Sequence, residues 1–379
     1  GPILDCGHTY VPAQGGSHDL VSLVGFDLSR QEDLRVDTVM SGPGVVYASA
    51  GALYLAQSRY RADSWDWYSE AGGSEEATTV HRFLLDPPSA GAAYADSGLV
   101  KGHVLNPFSL DEHEGVLRVA TSIGRVPDPD VSSSITVLRP DGQGRLAAAG
   151  EIDKIAPGED IRSVRFDGDV GFVVTFKKTD PLFTLDLHDP AAPRIAGELK
   201  IPGFSTYMHL LDDTHLLSIG YDADDEGDFA WFQGILLQVF DVSDLARPVL
   251  RHKATIGTRG TTSDAATNHL AFTWFASRGL LAVPMVVCEG GSGGTYGSTM
   301  TFDGLMVYRV DVDTGFDLLG GLQRAESYGV DCTSWWSDPN SGVKRSLFLE
   351  DFVWAVSYDS LRAAHVADVS VPVATVPLQ

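Results

Sequence analysis

A dense group of acidic side chains occupies residues 222–228, which read DADDEGD. Oxygen ligands at alternate positions, followed by a glycine where the chain must bend, are features of calcium-binding loops. The candidate ligands are Asp222, Asp224, Glu226 and Asp228. The second half of such a loop is missing, because Gln233 stands where a bidentate glutamate is needed. The segment therefore predicts a calcium site or, as the simpler alternative, a solvated acidic loop.

A second group, Asp111-Glu112-His113-Glu114, has residue types that bind metals or transfer protons. It falls in a predicted hairpin turn, so a solvated turn is the favoured interpretation. No second histidine follows at a zinc-like spacing, and no nucleophile elbow, Cys/His motif or phosphate-binding loop is present. The sequence therefore favours a protein without catalytic activity.

Two further sets of residues suit ligand binding. The first set consists of polar and aromatic residues on or just before predicted innermost strands: Arg162, Arg165, Tyr207, His209 and His269. At these positions the side chains would line an axial channel. They would form either a ligand site or a hydrated structural plug. Five of the seven tryptophans lie in long predicted loops, where exposed rings bind partners and buried rings fix their own loop: Trp65, Trp67, Trp231, Trp335 and Trp336.

The elements that carry these residues repeat along the chain. The motif DLHDPAAP, which begins at Asp186, recurs as DVSDLARP at Asp241, 55 residues later. Looser copies occur at Asp27, Asp86, Asp141, Asp311 and Asp368. Each period contains a hairpin of two apolar strands, a loop, a third strand that ends in the aspartate motif and a fourth strand. Such periods predict a β-propeller of four-stranded antiparallel blades.

The predicted all-β propeller is a single domain of about seven blades, or eight. Six blades are predicted at 45–102, 105–156, 160–202, 204–258, 267–325 and 344–376. Residues 1–17 form an N-terminal segment, and residues 18–42 supply only the two outer strands of a further blade. Because open sheet edges invite association, we expect an upstream fragment, a second chain, or the terminal segments of this chain to complete that blade. The long loops, which follow second and fourth strands, all lie on one face.

The stretch DPLFTLDLHDPAAPRIAGELKIPGFSTY, with FDVSD and NHLAF further on, resembles a secreted β-propeller family described as a C-terminal propeller distantly related to WD40 repeats. The resemblance is dense from about Val100 to Pro284. It implies export from bacterial or archaeal cells, no agreed biochemical activity, and further blades upstream in a longer protein. Export would permit a disulfide between Cys288 and Cys332, which both emerge on the long-loop face; two unrelated thiols are the alternative.

The composition and charge of the chain restrict the kinds of partner that it can bind. A net charge of −24 argues against nucleic acid, and no apolar run is long enough to span a membrane. The sequence therefore predicts a secreted or cell-surface module that binds a protein or glycan through its long-loop face. The competing interpretation is a calcium-assisted hydrolase or lactonase with its site at the channel mouth.

Overall fold

A computed structural model of the chain describes residues 6–11, 18–27, 30–60, 76–86, 91–126, 128–176, 180–201, 203–225, 230–324, 332–333 and 342–378. The chain divides into two compact units. The first comprises Gly1–Lys177 and Leu185–Ile195, and the second comprises Lys178–Thr184 and Ala196–Gln379. In the described part of the chain, no helix is long and apolar enough to cross a membrane.

The first unit contains three complete sheets and the beginning of a fourth. One sheet has the order β1-β3-β2, with strands Thr9–Tyr10 (β1), Val21–Asp27 (β2) and Arg30–Val39 (β3). The next two are meanders of Val45–Ala48 (β4), Ala52–Tyr60 (β5), Glu76–Asp86 (β6) and Gly91–Lys101 (β7), and of Leu110–His113 (β8), Val116–Ile123 (β9), Ser132–Pro140 (β10) and Leu146–Ile155 (β11). The chain passes into the second unit within a further sheet of Asp160–Asp167 (β12), Val170–Phe176 (β13), Asp180–Asp186 (β14) and Arg194–Ile201 (β15).

The second unit contains three more four-stranded meanders. Their strands are Phe204–Asp212 (β16), His215–Asp225 (β17), Ala230–Asp241 (β18) and Val249–Ile256 (β19); Thr273–Phe275 (β20), Leu280–Glu289 (β21), Thr299–Asp311 (β22) and Gly315–Gln323 (β23); and Val343–Leu349 (β24), Phe352–Ser357 (β25), Ser360–His365 (β26) and Asp368–Pro377 (β27). Single 3-10 turns occur at Cys6–His8, Pro107–Ser109, Asp264–Ala266, His269–Ala271 and Ala276–Arg278. Six sheets of four sequential antiparallel strands confirm the predicted blade architecture.

The first sheet contains the two predicted strands and a third from the N-terminal segment, which is one of the sources expected to add strands there. The sequence predicted two strands there, and β2 and β3 provide them as an antiparallel pair. The N-terminal segment adds β1, which pairs in parallel with Thr38 and Val39 of β3. Tyr10 of β1 stacks on Tyr94 of β7 at 4.6 Å between ring centroids, so this segment is packed against the neighbouring sheet.

Neighbouring sheets within each unit pack on one another through buried apolar side chains. In the first unit, Tyr54 and Val80 of one sheet meet Leu117 and Leu138 of the next. In the second unit, β21 and β22 pack on the last sheet through a similar cluster that includes Val307 and Val353. This burial is the main stabilising contribution to the stacked sheets.

The repeated aspartate motif has a definite structural role. The carboxylates of Asp186 and Asp241 each accept a hydrogen bond from the backbone N–H two residues on, at 3.2 and 3.0 Å, and so fix the turn between third and fourth strands. The proline-containing segment that follows then lies against a glycine in the fourth strand of the preceding sheet. A Cβ at Gly150 would lie 2.5 Å from the carbonyl oxygen of Pro190. A Cβ at Gly197 would lie 2.3 Å from the carbonyl oxygen of Leu245. The motif therefore sets the spacing between neighbouring sheets.

Candidate functional site

A cavity of about 260 Å³ opens at one end of the first unit. We call it the loop-end cavity, because it is formed by the connection after β7, the end of β9 with the connection that follows it, and the beginning of β12. Its lining residues are His103, Leu105, Ala120, Ser122, Arg125, Val126, Asp160, Ile161 and Arg162. The connections that follow the second and fourth strands of an antiparallel meander lie at the same end of the sheet. The cavity is therefore on the face where the long loops were predicted.

Ser122 holds the walls of the cavity together. Its backbone exchanges two hydrogen bonds with His103, at 2.8 and 3.0 Å, and so joins β9 to the connection after β7. Its hydroxyl accepts a hydrogen bond from the Ile161 N–H at 3.1 Å and lies 3.0 Å from the hydroxyl of Ser133. Three segments distant in sequence are thereby fixed around one buried side chain.

His103 is oriented by a buried carboxylate. Its Nδ1 lies 2.7 Å from Oε2 of Glu76, which also accepts a hydrogen bond from the Gly124 N–H at 3.2 Å. Glu76 is 6% exposed. Because Nδ1 is engaged with this carboxylate, Nε2 is the imidazole nitrogen through which His103 can contact a ligand.

Two arginines and one aspartate give the loop-end cavity its charge. Nε of Arg162 lies 3.1 Å from Oδ1 of Asp160, and its guanidinium lies 5.8 Å from the centre of the Phe176 ring. Arg125 contributes the second guanidinium. The other predicted arginine, Arg165, also lies on β12, but it stacks over the Phe108 ring at 5.6 Å and does not line the cavity.

Of the six predicted ligand-binding residues that the structure describes, one, Arg162, lines the loop-end cavity. Sequence reasoning did not single out His103, Ser122, Arg125 or Asp160. Their only signal was position, since each lies at or beside the end of a strand on the predicted loop face.

The other predicted channel residues form an aromatic cluster in the second unit. Tyr207 and His209 lie on β16, and His269 lies in the 3-10 turn that precedes β20. The centroid of the Tyr207 ring lies 6.5 Å from that of the His209 ring, 6.3 Å from that of the His269 ring and 5.0 Å from that of the Phe272 ring. The ring centroids of His209 and Trp274 are 6.3 Å apart. The structure thus brings Tyr207, His209 and His269 together, although His269 follows Tyr207 by 62 positions in the sequence. Phe272 and Trp274 complete the cluster.

Trp231 lies on β18 and not in the predicted loop. Its ring and that of Tyr296 lie on the guanidinium of Arg259, each at 4.5 Å, and Arg259 is 9% exposed. Gly294 sits directly over the indole, where a Cβ would lie 2.7 Å from the ring. These contacts pack the Trp231 ring against two other segments, at Arg259 and at Gly294.

The predicted calcium loop has a different backbone conformation. Asp222 and Asp224 belong to β17, which pairs with β18 as far as Asp225. The prediction of a loop over residues 222–228 is therefore wrong for residues 222–225, because cross-strand pairing extends the hairpin. Oδ1 of Asp222 accepts a hydrogen bond from Lys253 at 2.9 Å, and Oδ2 accepts one from Thr255 at 3.0 Å. Among the described residues, no group of three or more His, Cys, Asp or Glu side chains is arranged to hold a metal.

The acidic turn at residues 111–114 borders a second cavity in the first unit, of about 310 Å³. Nε2 of His113 lies 3.6 Å from Oδ1 of Asp169, and Nδ1 of His188 lies 3.4 Å from its Oδ2. Asp111 forms an ion pair with Arg118, and Glu112 accepts a hydrogen bond from Ser49. Asp111, Glu112 and His113 belong to β8 and only Glu114 lies in the turn, so the prediction that all four residues form the turn is wrong. The side chains of Asp111, Glu112 and His113 are engaged with neighbouring residues.

Cys288 and Cys332 form the predicted disulfide, with their Cα atoms 5.9 Å apart. The bridge is buried beside Val286 and joins the end of β21 to the connection between β23 and β24. Six predicted site residues lie outside the described residues: Trp65, Trp67, Glu226, Asp228, Trp335 and Trp336.

Comparison with known proteins identifies relatives but not a function. An uncharacterized protein of Archaeoglobus fulgidus is 38% identical over 221 residues, and one of Methanocaldococcus jannaschii is 40% identical over 182 residues. The matched segments cover 58% and 47% of this chain, but only 32% and 26% of those relatives.

Solved structures that resemble this chain are distant from it in sequence. The periplasmic gluconolactonase of Pseudomonas aeruginosa aligns with 95% of this chain and 98% of its own, at 15% identity and a TM-score of 0.48. The WD40 domain of Neurospora crassa Pan2 aligns with 87% of this chain and 78% of its own, at 7% identity and a TM-score of 0.41. The profile of the beta propeller domain family matches residues 1–369, and the chain therefore belongs to the β-propeller domain family.

Proposed function

We propose that this chain is an exported, noncatalytic binding module that holds a small polar ligand, free or at the end of a glycan or protein, in the loop-end cavity. The observation that carries the proposal is the lining of that cavity. Charged and hydroxyl groups of Arg125, Asp160, Arg162, His103 and Ser122 converge on one space. Binding sites commonly combine a few placed polar groups with apolar walls, which Leu105, Val126 and Ile161 supply here.

The scaffold suits recognition. The polar groups come from two connections and from the strands β9 and β12, and hydrogen bonds of Ser122 and Glu76 hold these segments together. A site held in this way loses little conformational entropy when a ligand binds. Secretion or display at the cell surface is supported by the buried Cys288–Cys332 disulfide, because such bridges persist in oxidising compartments.

The test is a titration of a panel of small charged and neutral compounds, including sugars, against a variant in which the cavity is filled. Leu105 lines the cavity and is 44% exposed, so Leu105→Trp should block the space without disturbing the core. Leu84→Trp is the matched control, because Leu84 is 46% exposed in the same unit and does not line the cavity. We expect bound compounds to lose affinity in Leu105→Trp only. Equal affinity in both variants would place the binding site elsewhere.

A calcium-assisted hydrolase or lactonase is the second candidate, and the buried Glu76–His103 pair is the observation that favours it. A carboxylate that orients an imidazole can support general acid–base chemistry at Nε2. If the protein is such an enzyme, it should hydrolyse an ester or lactone in the presence of added calcium. This activity should be lost without calcium and in His103→Gln. Hydrolysis at the uncatalysed rate, with and without calcium, would eliminate it.

A further inference from the structure

We propose that the ligand of the loop-end cavity is a small hydroxy acid, with its carboxylate bound by the guanidinium groups of Arg125 and Arg162 and its hydroxyl groups bound by the other polar residues of the lining. This inference rests on the proposed binding function and names its ligand class. The cavity volume of about 260 Å³ lies just below the range of sites for drug-sized molecules, and it suits a compound the size of one sugar ring.

The charges of the lining favour an anion. The lining contains two guanidinium groups and one carboxylate, whereas the whole chain has a net charge of −24. Guanidinium groups bind carboxylates through paired, charge-assisted hydrogen bonds. Arg162 is held in place by Asp160 on one side and by the Phe176 ring beneath it, so its orientation does not have to be fixed by the ligand.

The remaining polar groups suit hydroxyls. The carboxylate of Asp160 accepts hydrogen bonds, and an imidazole oriented by Glu76 can accept or donate one at Nε2. Leu105, Val126 and Ile161 offer apolar surface to the carbon skeleton. A ligand that bears hydroxyls as well as a carboxylate would therefore satisfy groups that a simple fatty acid would leave without partners.

Glucuronate and glucose are suitable probes, because they differ chiefly by one carboxylate. Calorimetric titration should show that glucuronate binds at least about tenfold more tightly than glucose, the difference expected for a charged hydrogen bond. Arg125→Gln and Arg162→Gln should each weaken glucuronate binding by about tenfold or more, with little effect on glucose. Arg145→Gln is the control, because it removes the same charge from an exposed residue outside the cavity. Melting temperatures verify that each variant is folded, and Arg125→Gln keeps the Arg162–Asp160 pair intact.

Three results would overturn the inference. Glucose that binds as tightly as glucuronate, with both weakened by Leu105→Trp, would remove the carboxylate requirement and leave the binding function standing. If both arginine variants bind glucuronate as tightly as the wild type, while other compounds lose affinity in Leu105→Trp, the carboxylate requirement is again removed and the binding function stands. If no compound of the panel responds to Leu105→Trp, the proposed function fails together with the inference.

Discussion

Protonation of His81 should make the free energy of unfolding depend on pH between 5 and 7.5. His81 lies on β6, is 0% exposed, and makes one hydrogen-bonding contact, from Nδ1 to the Tyr94 hydroxyl at 3.1 Å. Burial, reinforced by the positive charge of Arg59, lowers the pKa of His81 to about 4. In the unfolded chain the pKa of a histidine is about 6.5.

The sign follows from proton uptake. Between pH 6.5 and pH 4 the unfolded chain binds a proton at residue 81 that the folded protein excludes, so stability falls as the pH falls through this window. Linkage gives a loss of about 2 kcal/mol between pH 7.5 and pH 5. Carboxylates with lowered pKa values, such as Asp359 with a pKa of about 2, lose their contribution at lower pH and do not confuse the measurement.

Urea denaturation at several pH values in this window measures the effect. In His81→Gln the pH dependence should be reduced by about 2 kcal/mol, whatever the absolute stability of the variant. His18→Gln, which changes an exposed imidazole, is the control and should keep the wild-type slope. An unchanged slope in His81→Gln would refute the assignment of a buried, neutral imidazole.

Two further predictions concern the scaffold. Replacing Cys288 and Cys332 together by alanine should lower the free energy of unfolding by up to about 4 kcal/mol, because the bridge closes a loop of 44 residues in the unfolded chain; denaturation with and without reductant measures it. Gly150→Ala and Gly197→Ala should each cost about 1–3 kcal/mol, because the added methyl group meets a carbonyl oxygen of the neighbouring turn. Gly51→Ala is the control, since no atom lies within 4 Å of its added Cβ, and a similar loss there would contradict the packing argument.

The sheets were predictable because their signals are local and repeated. Asp186 and Asp241 fix a turn through hydrogen bonds two residues away, so the sequence shows both the turn and the strands beside it. Strand ends were less predictable where polar residues continue a hairpin. Asp222 and Trp231 look like loop residues, but cross-strand pairing keeps them in β17 and β18.

The loop-end cavity was not predictable, since its residues share no local pattern. His103 and Arg125 lie on two different connections and Asp160 begins β12, and only the packing of neighbouring sheets brings them together. The disulfide was within reach, because a chain with so few cysteines offers few pairings and both partners follow strands on the same face.

The most direct test of the central claim is a crystal structure of the protein with the tightest-binding compound of the panel. The proposed function predicts that the compound occupies the loop-end cavity, within hydrogen-bond distance of His103, Ser122 or Arg162. A compound bound at another surface, with this cavity empty at a concentration that saturates the protein in solution, would contradict it.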